Sequence, residues 1–513
     1  MIPAFTRRST IALAAVCLSS LMFGLEISSI PAILPTLEQV LHADFPQLQW
    51  IMNAYTIAVT TVLMAIGTLA DRYGRKRIFL IAIAAFGATS LICGLTGNVS
   101  VLILARFLQG LSGGAMLICQ IAILSHQFRE GQPRAVAFGW WGIIFGIGLG
   151  FGPIIGGAIV AVSSWEWVFL VHVLLGALTF ILALGGVQES RDPQASSLDI
   201  AGMATLSLSV FFLAFFITQG PELGFTSTAA LSVIGISIGS FIAFLVAEKT
   251  SQRPMFAFSV FRIRAFSGAI IGSVAMNISF WPFMIYLPIW FQAGLGYDSV
   301  SAGLALLAYT LPTLVVPPLA ERLSLRYQPG AIIPAGLFTI GLGFILMKLG
   351  SAATPASWLT MLPGCVLAGV GLGLTNTPVT NTTTGSVPSE RVGMASGIDM
   401  SARMISLALN IAIMGFILVS GVLAHLKDAL PTPSDTAHLR SLAKRIAASS
   451  VGSVPERSGA LIHEALAQGF GWVMLYGGVG AWGLALFSFL VFRHRTCRPG
   501  TTPQTGETVP CTK

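Results

Sequence analysis

Charge is what this sequence has least of. Asp, Glu, Lys and Arg make up 9% of its 513 residues, against about 25% in an ordinary soluble chain. Hydrophobic residues account for 54%, and the mean hydropathy is +0.82. A soluble core of that composition is excluded, so the bilayer is the solvent. Cysteine is also sparse: Cys17, Cys93, Cys119, Cys365, Cys497 and Cys511 show no C-x-x-C and no regular spacing. Most fall inside apolar runs, where a small buried hydrophobe is the default, so neither a disulfide nor a metal site is expected. A phosphate loop, G-x-x-x-x-G-K followed by Ser or Thr, is missing, which argues against pumping driven by ATP. Nor is there a nucleophile constellation or a soluble catalytic stretch. The chain is therefore read as a non-enzyme without cofactor or metal. The net charge of +8 does not point to nucleic acid, because the bases are confined to short links on one side.

What is abundant is long apolar runs. They fall at roughly 9–34, 48–70, 78–96, 100–124, 135–160, 165–187, 199–219, 228–247, 266–291, 300–320, 330–349, 357–380, 393–422 and 467–492. A bilayer core of ~30 Å takes about 20 helical residues, so the pattern predicts an all-α integral membrane protein with fourteen spans. The opening, Arg7-Arg8 and an apolar run, imitates a signal peptide, but the run continues to about Leu34 and is read as an uncleaved first helix.

The bases test the count. With the amino terminus inside, Arg72, Arg75, Lys76, Arg77, Arg129, Arg134, Arg191, Lys249, Arg253, Arg262, Arg264, Arg322, Arg326 and Arg391 all fall in inner links, and the short outer loops carry none. Bases mark the cytoplasmic side, so both termini are expected there. Only the long outer segment, about 423–465, breaks the pattern, and long translocated loops are lax about charge. It is read as a solvated loop, with a short amphipathic helix over His438 to Ala448 as the alternative. Arg106, Lys348 and Arg403 are left within or at the ends of spans. Leu69-Ala70-Asp71-Arg72 recurs as Leu319-Ala320-Glu321-Arg322. The repeat fits an amino-terminal six-helix bundle over 1–198 and a carboxyl-terminal one over 248–492. Two inserted helices at 199–247 and a disordered cytoplasmic tail at 493–513 complete the division.

The link between spans two and three reads GTLADRYGRKR, from Gly67 to Arg77. Gly67 and Gly74 permit a tight turn and close helix approach, and Asp71 can pair with an arginine or cap a helix. By spacing alone, a conformational latch and a plain topogenic cluster stand equal. The residues Gly67, Leu69, Asp71, Arg72, Gly74, Arg75 and Lys76 match G-x-L-x-D-R-x-G-R-K. In that motif the chain resembles the major facilitator superfamily. The resemblance implies the major facilitator fold, two six-helix bundles rocking about a central site, with this link as latch.

Other motifs extend the likeness to the fourteen-span drug:proton antiporter branch. Gly148, Gly152, Pro153, Gly156 and Gly157 match the fifth-helix pattern G-x-x-x-G-P-x-x-G-G. Glycines four apart make a smooth packing face and proline allows a kink. In the family this helix is characteristic of antiporters, so it implies export. Glu26 stands where that branch has an acid, usually Asp, although the polar-apolar run that usually follows is lacking. Arg106 opens R-F-L-Q-G-L-S-G-G-A, which resembles the fourth-helix motif, with Gln109 on the same face. An arginine here tunes a carboxylate, or else snorkels to the outer face.

Intramembrane acids are functional by default, and Glu26 and Asp399 are the two well inside spans. Asp399 and Arg403, four apart, read equally as a structural ion pair and as a second proton site. Trp50, Asn53 and Tyr55 match a family W-x-x-x-A-Y pattern and are cavity candidates, with Trp50 alternatively an interface anchor. Trp281 and Tyr286 are candidates for stacking on flat cations, with lipid-facing filler as the alternative. His172 is read as structural rather than as a proton relay. The usual W-R-W after span five is Trp165-Glu166-Trp167 here.

The sequence thus predicts a proton-coupled exporter of amphipathic drugs, antibiotics or a toxic natural product across the cytoplasmic membrane. The expected partners are a small-molecule substrate, protons and the lipid bilayer, with no nucleic acid. It is expected to act as a monomer, with an envelope-spanning export partner as a further option. The alternatives are a proton-coupled uptake permease and a membrane sensor.

Overall fold

The computed structural model describes residues 6–43, 45–129, 131–191, 199–251, 258–297, 299–353, 356–429, 436–447 and 459–493. The expected tail beyond Arg493 and the Pro431, Pro433 and Pro455 positions lie outside the described residues. The regular elements among the described residues are all helices. Lipid offers no hydrogen-bond partner to a bare backbone, so each apolar run closes its bonds internally as a helix.

The first half holds α1 (Arg7–Leu41), α2 (Phe45–Tyr73), α3 (Arg75–Leu95), α4 (Val99–Gln127), α5 (Gly131–Val162) and α6 (Glu166–Gly186). Their starts are set by polar caps where the sequence offers one. The Asn98 side chain, for example, accepts from Ser100 N at 2.9 Å and Val101 N at 3.2 Å. The six helices bury Phe23, Tyr55, Phe79, Phe86, Phe138 and Trp141 in one core. Next come α7 (Ile200–Leu223) and α8 (Thr228–Thr250), paired by Ser209 Oγ on Ser237 O at 3.0 Å and Ser237 Oγ on Ser209 O at 2.9 Å. Leu206 and Val210 of α7 join Met64 of α2 and Met394 from the second half in one cluster, so α7 lies along the seam between halves.

The second half is less regular. The ninth run is broken into α9 (Arg264–Ile278), α10 (Phe280–Ile289) and a π turn (Trp290–Gly294), with non-helical backbone at Ser279. The tenth becomes α11 (Ser299–Thr310), α12 (Pro312–Val315) and α13 (Pro317–Tyr327), bent by 43°. Pro312 and Pro317 lack the N–H that a continuous helix needs and place the breaks. Then follow α14 (Pro329–Ser351), α15 (Trp358–Gly385), α16 (Val392–Ala429), α17 (Thr436–Ala447) and α18 (Gly459–Arg493). Among the described residues, 13 helices are long and apolar enough to cross a membrane, or 14 when the bent pair counts as one span.

The outer segment differs from the expected solvated loop. The helix α17 forms, and its apolar side, Leu439, Ala443, Ile446 and Ala447, is buried in the core of the second half. Those four recur at helical spacing, so one face packs on protein while Arg440 and Lys444 stay exposed.

The two halves meet through small residues near the face that carries the start of α1. Gly67 and Gly393 sit in backbone contact across the α2–α16 seam, and Gly397 lies against the Leu63 backbone. On the other seam, Gly139, Gly142 and Gly146 of α5 face Pro318, Thr377 and Leu314.

Candidate transport site

In the first half a buried polar group forms between α1, α2, α3, α4 and α6. Glu26 is 0% exposed and Arg106 2%. The Arg106 Nη1 donates to Glu26 Oε1 and also to Gln109 Oε1 at 2.7 Å, and its Nε donates to the Ile51 carbonyl at 3.1 Å. Gln109 in turn donates to Ser90 Oγ at 2.8 Å. The guanidinium carbon lies 4.4 Å from the centre of the Tyr55 ring, a buried cation–π contact. Arg106 thus turns inward and does not snorkel. Two polar atoms are left over: Glu26 Oε2 and the Tyr55 hydroxyl are buried with no hydrogen-bond partner among the described residues. The imidazole of His172 faces the unmatched oxygen, its Nδ1 3.5 Å from Glu26 Oε2.

The second half holds a different kind of cluster. Asp399, 0% exposed, accepts from Arg403 Nε at 3.1 Å, from Ser273 Oγ, and at its other oxygen from Thr380 Oγ1 at 3.2 Å. Arg403 also donates to Asn376 Oδ1 and to Thr380 Oγ1 at 2.8 Å. Every carboxylate oxygen here is matched, whereas Glu26 keeps one that is not.

The helix α5 packs on α1 through its glycines. A Cβ on Gly148 would meet the Leu21 carbonyl oxygen at 2.8 Å, one on Gly152 would overlap Ser28, and one on Gly156 would meet Ser29 Cβ at 2.9 Å. Ser28 Oγ donates to Gly148 O at 2.9 Å across the contact. Gly157 has nothing within 4 Å of its added Cβ, and Pro153 is exposed, so neither belongs to that face.

At the α2–α3 link, Asp71 Oδ1 accepts from Arg75 Nε at 3.0 Å and from Gly393 N at 3.2 Å, and its Oδ2 accepts from Met394 N at 3.3 Å. Gly393 and Met394 open α16, so Asp71 caps the first turn of a helix from the opposite half. Arg75 reaches the same place, donating to the Ser389 carbonyl at 2.5 Å. Gly74 takes φ +107°, which frees the chain to turn, and Arg72 only stacks on Tyr73 at 5.3 Å.

Several predicted residues fall outside these groups. Trp50 packs tilted against Phe215 of α7, with ring centres 5.6 Å apart, and Asn53 is half-buried on α2. Tyr286 donates to the Ile411 carbonyl at 2.6 Å within the second half, and Trp281 packs edge-on to Phe280. Sequence reasoning also missed a second tie between the halves. Arg134 of α5 donates to Asn381 Oδ1 and, at 2.7 Å, to Thr384 Oγ1 on α15, and Asn381 donates to Glu321 Oε2 at 2.6 Å. The recurrence of Leu-Ala-acid-Arg pointed at Glu321; nothing in the sequence pointed at Asn381.

Two helical bundles closed at one face, with a buried acid–arginine pair in one and small-residue seams between them, define a multi-pass membrane transporter. The chain belongs to the Major Facilitator Superfamily, whose profile matches residues 16–411. It is 30% identical over 431 residues to the "Multidrug resistance protein Stp" of Mycobacterium tuberculosis, covering 83% of this chain and 80% of that one. It is 29% identical over 452 residues to the "Tetracenomycin C resistance and export protein" of Streptomyces glaucescens, covering 86% and 82%. To the "Quinolone resistance protein NorB" of Staphylococcus aureus it is 28% identical over 406 residues, covering 79% and 87%. The fold is shared with the human organic anion transporter MFSD10, at a TM-score of 0.59 and 13% identity, covering 95% and 99%. It is shared too with the proton:xylose symporter XylE, at 0.57 and 14%, covering 93% and 94%.

Proposed function

We infer that the protein exports amphipathic drugs, antibiotics or a toxic natural product across the cytoplasmic membrane in exchange for protons. Its termini lie in the cytoplasm, and it works as a monomer without a cofactor. An envelope-spanning partner is compatible with this reading but not required by it. The units that move are 1–198 and 248–492, with 199–247 flanking the seam. The observation that carries the coupling is the buried Glu26–Arg106 pair, with one carboxylate oxygen unmatched by the protein. An unpaired oxygen in a low-dielectric site makes the carboxylate sensitive to the arrival of a proton or a cation. The three resistance-protein relatives support a drug as cargo, and the glycine face of α5 on α1 supports a helix that slides as the site opens.

Neutralising Glu26 loosens its hold on Arg106 and lets substrate leave outward. A proton drives the cycle only through its unequal affinity for the two conformations. With the termini inside, Asp71 and Arg75 tie the two halves together at the cytoplasmic face.

Inverted membrane vesicles holding wild type or Glu26→Gln, challenged with ethidium and a quinolone, test the reading. Substrate-dependent proton movement is expected in the wild type and not in the variant. Movement that persists in the variant removes Glu26 from the coupling. No movement with any compound in the wild type removes proton-driven drug export.

A further inference from the structure

His172 faces oxygen on both sides of its ring. Its Nδ1 lies 3.0 Å from the Val168 carbonyl oxygen on its own helix, and its Nε2 lies 3.2 Å from the Met22 carbonyl oxygen on α1. The side chain is 1% exposed, and both ring nitrogens address protein oxygen. A carbonyl only accepts, so each nitrogen needs a hydrogen to make its bond. Neither neutral tautomer carries two; the imidazolium does.

A second observation points the same way. Glu26 is held at Oε1 by Arg106, while its Oε2 has no hydrogen-bond partner and lies 3.5 Å from His172 Nδ1. The carboxylate therefore sits between a guanidinium that cannot lose its proton and an imidazole that can carry one. The other ionisable groups around the pair are Arg106 from α4, Tyr55 from α2 and Cys93 from α3. Phe86 of α3 lies edge-on to the imidazole at 5.8 Å. On α6 itself Glu166 stands at the helix start, six residues away, and α5 offers only Arg134 near its own start.

We propose that His172 is a second proton carrier of the transport cycle. It holds the exchangeable proton as an imidazolium while α1 is docked on α6, and it passes that proton to Glu26. In the step the Nδ1–H bond breaks and an O–H bond forms at Oε2. The ring becomes neutral imidazole and the carboxylate a neutral carboxyl, with no other reactant. Rotation of the carboxyl closes the 3.5 Å gap. The same step removes the donor to the Val168 carbonyl and the anion facing Arg106, so α1 loses its ionic tie to α4 while Nε2–H still donates to Met22. The inference rests on the proton-coupled export proposed above.

The bland alternative is a clip in which His172 only ties α1 to α6. Full-length His172→Gln and His172→Asn in proteoliposomes separate the two. Ethidium accumulation driven by a proton gradient is compared with ethidium exchange at equal pH, across pH 5.5 to 8. For a carrier, driven accumulation falls roughly tenfold or more and its pH dependence flattens, while exchange falls far less. If accumulation and exchange fall together, His172 is a clip and the proposal is wrong. It is equally wrong if either variant keeps wild-type accumulation and pH profile. If wild-type protein moves no protons with substrate, export by proton exchange fails first, and that result is distinct from a working wild type with indifferent variants.

Discussion

Gly67 of α2 and Gly393 of α16 face each other so closely that a Cβ on either would overlap the other's carbonyl oxygen. Residues from opposite halves thus meet backbone to backbone, and the contact lies beside the Asp71 cap on α16. Small residues let helices approach in lipid, where the hydrophobic effect supplies no drive to associate.

A methyl at this contact should force the halves apart. Overpacking costs about 1–3 kcal/mol, and 1.4 kcal/mol is a factor of ten in a two-state equilibrium. Gly67→Ala or Gly393→Ala should therefore shift the population roughly tenfold or more towards the conformation in which this face is open. Spin labels on α2 and α16 read the distance distribution directly. An unchanged distribution would mean that the contact does not set the equilibrium.

Asp71 and its neighbour Arg72 should behave differently, although both belong to the motif. Asp71→Asn removes the charge that Arg75 and the α16 amides address, with charge-assisted bonds contributing about 1.5–3 kcal/mol each. Arg72→Ala removes only a stack on Tyr73 and should stay within about 0.5 kcal/mol. Transport by the two variants at matched expression decides: a large loss for Asp71→Asn and little for Arg72→Ala is expected.

The Asp399–Arg403 pair makes a stability prediction. Removing one partner leaves a buried charge unmatched, at about 3–5 kcal/mol, so Asp399→Asn and Arg403→Ala should each melt well below wild type in detergent. The double variant Asp399→Leu/Arg403→Met should recover much of the loss, since no charge is then stranded. Should the double variant remain stable but fail to transport, the pair has a role beyond structure.

The glycines of α5 should also split. Gly152→Ala places a methyl on Ser28 and should cost transport, whereas Gly157→Ala meets nothing within 4 Å and should be nearly silent. Dye export from whole cells at equal protein level is the readout. Equal damage at both positions would argue for helix flexibility rather than a sliding face.

Much of this was legible in one dimension. Apolar runs near twenty residues long mark each span, because lipid leaves the backbone no other way to satisfy its donors. The run 300–320 was read as one span, and the structure breaks it at Pro312 and Pro317, which lack the N–H a continuous helix needs. The outer helix α17 was misjudged because burial of Leu439 and Ile446 depends on a core built by distant segments.

The candidate site was legible only in part. Glu26, Arg106 and Asp399 stand out as charges inside apolar runs, a local signal. His172 was read from the sequence as structural; its contacts with Met22 and Glu26, 150 and 146 residues away, are tertiary. Asn381 matters only through Arg134 and Glu321, which come from two other helices.

By itself, then, the sequence determined that the chain lives in a membrane, how many times it crosses, and which acids are out of place there. Those are properties of single helices in a uniform solvent, and composition decides them. The tertiary structure alone decided that Glu26 keeps a free oxygen while Asp399 does not. Whether a buried polar atom finds a partner depends on side chains that meet across helices, and a linear pattern carries no record of those meetings.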